Sequence, residues 1–133
     1  MSNSTMLITF APQKSSKTYT TPVNYLWDDR TLLVVSPKDR VWWRNLRGGA
    51  RVTVCVRAQT LQGVGRAFEG EEVVKEGGLL TELRKVPAYR RYWRVELDEN
   101  DQPKDPQDLL RVARTNVLVR IGDLTHLCRE VRR

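Results

Sequence analysis

The chain has 133 residues, 40% of them hydrophobic and 29% charged, which is an ordinary globular composition for one domain over residues 1–133 and argues against disorder or a fibrous repeat. Lys and Arg number 23 against 16 Asp and Glu, a net charge of +7, so anionic partners are favoured and phosphate is the first candidate. No apolar run approaches the roughly 18 residues needed to cross a bilayer, and Met1 to Thr5 lacks the basic and apolar stretches of a signal peptide, so a cytoplasmic protein with no membrane partner is expected.

Met6 to Ala11 is short and apolar and reads as a first strand, with a polar turn from Gln13 to Lys17 after it. Thr18 to Trp27 is rich in β-branched and aromatic residues, Asp28-Asp29 supplies a turn, and Thr31 to Val35 returns as a strand. Pro22 cannot donate to a ladder, so its strand is expected to carry a bulge, lie at an edge, or turn its backbone to a ligand. Ser36-Pro37-Lys38-Asp39 leads into Arg40 to Arg47, expected to be an amphipathic helix of about two turns ended by Gly48-Gly49. Val52 to Ala58 and Leu61 to Phe68 form a hairpin, with Gly63 and Gly65 marking a bend or close packing.

After Phe68 the pattern turns helical. Val73 to Val86 reads as one helix despite Gly77-Gly78, and Pro87 to Val95 as a further turn or two. Glu96 to Pro106 is a polar loop, Asp105-Pro106 opens a third helix through Arg114, and Val117 to Ile121 closes the sheet. No internal repeat or linker marks a second domain.

Little here suggests side-chain catalysis or a metal. Cys55 and Cys128 have no metal or redox spacing and read as reduced thiols. His126 is the sole histidine and has no acid or nucleophile patterned around it, and the glycine pairs lack the spacing of a nucleotide-binding loop. Tyr89-Arg90-Arg91-Tyr92-Trp93-Arg94 mixes aromatic and basic residues as nucleic-acid binders do, but at helical spacing Tyr89, Trp93 and Tyr92 would face the barrel with the arginines in solvent. That is the commoner arrangement, so nucleic-acid binding is the lesser reading.

The order of strand, hairpin, short helix with a tryptophan pair, long hairpin, helices and last strand resembles the FMN-binding split β-barrel of flavin and deazaflavin oxidoreductases, a mainly β fold with helices (α+β). The deazaflavin-dependent nitroreductase family is the nearest resemblance. It rests on Ala11 to Val56: Pro12-Gln13-Lys14-Ser15-Ser16 where the family has a Gly-Arg-Lys-Ser-Gly turn, Thr21-Pro22-Val23 for its Asn-Pro strand, Ser36-Pro37-Lys38-Asp39-Arg40 for its basic loop, and Trp42-Trp43-Arg44-Asn45-Leu46 for its Trp-aromatic-x-Asn-Leu helix. Pro12 and Ser16 replace the turn glycines, and Tyr19 stands where relatives carry an Arg, so the resemblance implies either FMN or an 8-hydroxy-5-deazaflavin coenzyme.

It also implies a site. Lys38 and Arg40 would together hold a phosphate beside the helix start, where free N–H groups and the dipole favour an anion. Lys14 would reach the phosphate or the cofactor's acidic tail. Thr21, Pro22, Val23, Val35, Ser36 and Pro37 would line the ring, and Trp43 would support the pocket. A homodimer acting on a small-molecule substrate is implied as well, with a noncatalytic cofactor-storing barrel as the alternative.

Overall fold

The computed structural model describes residues 5–11 and 17–126. Seven antiparallel strands form one curled sheet: β1 (Thr5–Phe10), β2 (Tyr19–Asn24), β3 (Leu26–Asp28), β4 (Thr31–Pro37), β5 (Ala50–Val56), β6 (Gln59–Phe68) and β7 (Asn116–His126), in the order β2-β1-β5-β6-β7-β4-β3. β2 and β3 are therefore the edges, and β2 curls round to approach β4, leaving a half-barrel with a split between them.

Period-two alternation sends side chains to two layers. Met6, Ile8, Leu32, Val34, Val52, Val54, Val119 and Ile121 fill the inside of the curl. Leu33 and Leu118, on the other face of β4 and β7, receive the helices through Val73, Leu79, Leu83, Leu109 and Val112. The helices are α1 (Glu71–Glu76), α2 (Gly78–Lys85), α3 (Pro87–Trp93) and α4 (Gln107–Thr115).

Several local expectations are corrected. The expected helix over Val73 to Val86 is two helices, because Gly77 takes a left-handed φ of 92° and turns the chain between them. The expected two-turn helix from Arg40 to Arg47 is a 3-10 helix of five residues, Trp42–Leu46, with no side-chain cap at Val41. The β5–β6 turn falls at Arg57-Ala58, both at positive φ, two residues earlier than the pattern suggested. Tyr92 is 77% exposed and does not face the barrel, whereas Tyr89 and Trp93 pack partly against the helical layer.

Thr18 to Trp27, expected as one strand, likewise divides at Tyr25 into β2 and β3 on opposite edges of the sheet; the remaining elements stand near their expected places, and β7 lies inside the sheet, between β6 and β4. Arg120 of β7 ties three elements together, donating to Glu76 at the end of α1 and to Asp28 and Thr31 of the β3–β4 hairpin. No described helix is long and apolar enough to cross a membrane.

Candidate functional site

The split between β2 and β4 holds a cleft of about 350 Å³ lined by Thr5, Pro22, Val23, Asn24, Val34, Val35, Ser36, Pro37, Arg40 and Trp42. Pro22 pairs with Leu7 on the edge strand, where a residue lacking an N–H leaves no ladder bond unmade on the side without a neighbour. The strand's pleat then directs Val23, opposite buried Met6, toward the barrel interior.

The far wall is the end of β4 and the turn after it. Ser36 is only 4% exposed, and its hydroxyl donates to the Pro37 carbonyl at 3.1 Å while accepting from Trp42 Nε1 at 3.2 Å. The Arg40 backbone N–H closes the turn on the Pro37 carbonyl at 3.2 Å. Arg40 is the one charged side chain in the lining, and the lining contains no carboxylate, histidine or thiol. Such a surface suits a flat, largely apolar body with an anionic extension.

Six residues expected from the sequence thus share this cleft: Pro22, Val23, Val35, Ser36, Pro37 and Arg40. Val35 also packs partly against the helical layer. Thr21 lies next along β2, opposite Ile8, but outside the lining. Lys14 falls outside the described residues.

Besides Thr21, two placements differ from the expectation. Lys38 does not join Arg40: its backbone N–H binds the Thr115 carbonyl at 2.8 Å, and its side chain lines a separate recess on the other side of the turn. Trp43 lies in the core, 1% exposed, with the Arg47 guanidinium 5.0 Å from its ring centre. The cleft's indole is that of Trp42, which the sequence reading left out of the site; in a tryptophan pair on so short a helix, nothing in the pattern told the inward ring from the lateral one. Thr5, Asn24 and Val34 were missed too. Thr5 and Asn24 pair across the β1–β2 ladder, Thr5 Oγ1 donating to Asn24 Oδ1 at 3.1 Å.

Away from the cleft, Glu82 on α2 is 3% exposed, and its carboxyl is pushed up to about 8, first by burial and then by the charge of Asp28. The Tyr89 hydroxyl is raised by burial and by Glu82. No cluster of metal-ligating side chains occurs among the described residues.

Solved structures share the architecture. One, described as a domain-swapped dimer, is 19% identical, with a TM-score of 0.58 over 90% of this chain and 80% of its own. A putative pyridoxamine 5'-phosphate oxidase from Listeria innocua is 17% identical, with a TM-score of 0.53 over 93% and 88%. An FAD-binding protein from Mesorhizobium loti is 14% identical, with a TM-score of 0.50 over 90% and 82%. No curated protein matches the sequence.

The curled sheet, its split and these likenesses define the class by its fold, a split β-barrel. Residues 1–96 match the model of the F420H(2)-dependent quinone reductases, and the chain belongs to that family. The matched stretch contains every residue of the cleft, and membership implies deazaflavin-dependent reductase activity.

Proposed function

We propose that this chain binds a reduced deazaflavin in the β2–β4 cleft and reduces a small quinone-like molecule. The observation that carries this reading is the convergence of Pro22, Val23, Val35, Ser36, Pro37 and Arg40 on one cleft, six residues first singled out through their resemblance to a cofactor site. Family membership favours the deazaflavin over FMN.

The lining fits such a group. Val23, Val34, Val35 and Trp42 offer apolar cover for a flat ring, Thr5, Asn24 and Ser36 offer polar atoms at its edge, and Arg40 offers a charge-assisted bond to a phosphate. At about 350 Å³ the cleft is near the lower end of small-molecule sites, so it suits the ring, with the charged extension left to Arg40 and the rim.

When bound, a reduced deazaflavin supplies hydride, and a quinone accepting it takes up a proton from water to give the hydroquinone. The protein's part is to hold and orient. Ser36 fixes the turn through its two hydrogen bonds, Trp42 covers the ring, and Arg40 anchors the anionic end. A homodimer, whose second subunit would complete the open side of the split, belongs to the same proposal.

The test is quinone reduction by the purified chain with reduced deazaflavin, set beside the same assay with reduced FMN. Turnover with the deazaflavin is the expected result. Tight binding of the deazaflavin without turnover on any quinone would favour a storage protein, and turnover with FMN alone would reassign the cofactor.

A further inference from the structure

A larger recess lies elsewhere. It encloses about 980 Å³ between the 37–39 turn, the C-terminal end of α3 and the C-terminal half of α4, and shares only Pro37 with the cleft above. Five cationic side chains line it, Lys38, Arg44, Arg94, Arg111 and Arg114, against one carboxylate, Asp39.

Most of that charge is uncommitted. Arg111 Nη2 is held by Asp108 at 3.2 Å and by the Arg94 carbonyl at 2.9 Å. Lys38, Arg44, Arg94 and Arg114 have no carboxylate partner among the described residues. Cations near a helix C-terminus complement its dipole, which accounts for Arg114 on α4 and Arg94 at the end of α3, but not for Lys38 and Arg44 arriving from two other segments. The walls are pinned to each other by the hydrogen bond from the Lys38 N–H to the Thr115 carbonyl.

The aromatic and basic segment Tyr89 to Arg94, which the cofactor cleft does not use, finds its place here. Tyr92 and Trp93 line the recess beside Arg94, with Tyr92 77% exposed and its ring centre 6.0 Å from that of Trp93. A large exposed ring among unpaired cations is the combination that stacks a base while phosphates are neutralised. We propose that this recess binds a nucleotide carrying two or more phosphates, with Lys38, Arg44, Arg94 and Arg114 on the phosphates and Tyr92 against the base.

Beyond the recess the neighbouring cations are mostly engaged, with exposed Arg91 the exception, so the free charge thins out and does not run on as a track for a strand. On the far side of Arg94, Lys104 is paired with Glu96 at 3.5 Å, and Arg90 donates to the carbonyls of Leu83 and Arg84. That favours a compact ligand over single-stranded nucleic acid.

Calorimetric titration of the full chain with ADP, inorganic pyrophosphate and an oligothymidylate tests the site. Saturable binding of one ADP per chain is expected, weakened about tenfold or more in Arg94→Ala/Arg114→Ala, because charge-assisted phosphate bonds are among the strong ones. Tyr92→Ala should weaken ADP several-fold and leave pyrophosphate unchanged, since the ring meets only the base. If the double variant fails to fold, Arg114→Glu alone carries the same expectation. Absence of saturable ADP binding, or ADP affinity unchanged in the variants, would overturn the site. Preferential binding of the oligothymidylate would overturn the compact ligand in favour of a strand.

Discussion

Trp42 and Ser36 are joined across the turn between them, the indole Nε1 donating at 3.2 Å to a hydroxyl that itself donates to the Pro37 carbonyl. One side chain thereby both covers the proposed ring site and fixes the turn that carries Arg40. Trp42→Phe keeps the apolar cover and removes the donor. It is expected to cost about 1 kcal/mol of stability, the usual worth of one hydrogen bond, and to weaken deazaflavin several-fold. Thermal melts and a fluorescence titration check both.

Arg40 and Lys38 lie on opposite sides of the same turn, which separates roles that their proximity in sequence had joined. Arg40→Ala should reduce cofactor affinity by about 10- to 100-fold, the range for a hydrogen bond to a charged group. Lys38→Ala should leave it nearly unchanged. Equal losses in the two titrations would place the phosphate between them after all.

The β5–β6 hairpin is closed by Arg57 and Ala58 at φ 51° and 69°, a two-residue turn built without glycine or asparagine. Replacing the pair by Asn-Gly relieves the steric cost of positive φ at both positions. A gain of about 1 kcal/mol is expected in denaturant melts, with activity unchanged.

Glu82 sets a pH dependence. Its carboxyl, held near 8 in the folded chain against an ordinary value of 4.5, binds a proton more tightly folded than unfolded. Stability from this group is therefore full below about 4.5 and is lost as pH rises toward 8, at up to about 1.4 kcal/mol per pH unit. Glu82→Gln should flatten the melting temperature between pH 5 and 8, and an unchanged slope would show that the carboxylate ionises without cost.

The sequence revealed strands in two ways: β1 alternates, with Met6, Ile8 and Phe10 facing in and Thr5 and Thr9 facing out, whereas β7 is a continuous apolar run from Val117 to Val119 because helices cover its outer face. The cleft was legible where a residue type is restrictive: Pro22 is tolerated only where ladder bonding is absent, and the 36–40 turn combines proline with cations. What stayed hidden depends on tertiary packing. Gly77 could end a helix or sit within one, and only the docking of α2 on Leu33 and Leu118 decides; a Cβ at Gly78 would meet both leucines, at 3.0 and 2.8 Å. The Trp42 and Trp43 side chains likewise divide between cleft and core according to the rotation of a 3-10 turn, which the pattern does not set.

The most direct measurement of the central claim is a titration of the oxidised deazaflavin's own fluorescence with the purified chain, run for the wild type and for Arg40→Ala. Saturation at one cofactor per chain, shifted to at least tenfold higher protein concentration by the substitution, is the expected result. A fluorescence unchanged by the wild-type chain, or a curve that Arg40→Ala leaves in place, would contradict the assignment of the β2–β4 cleft.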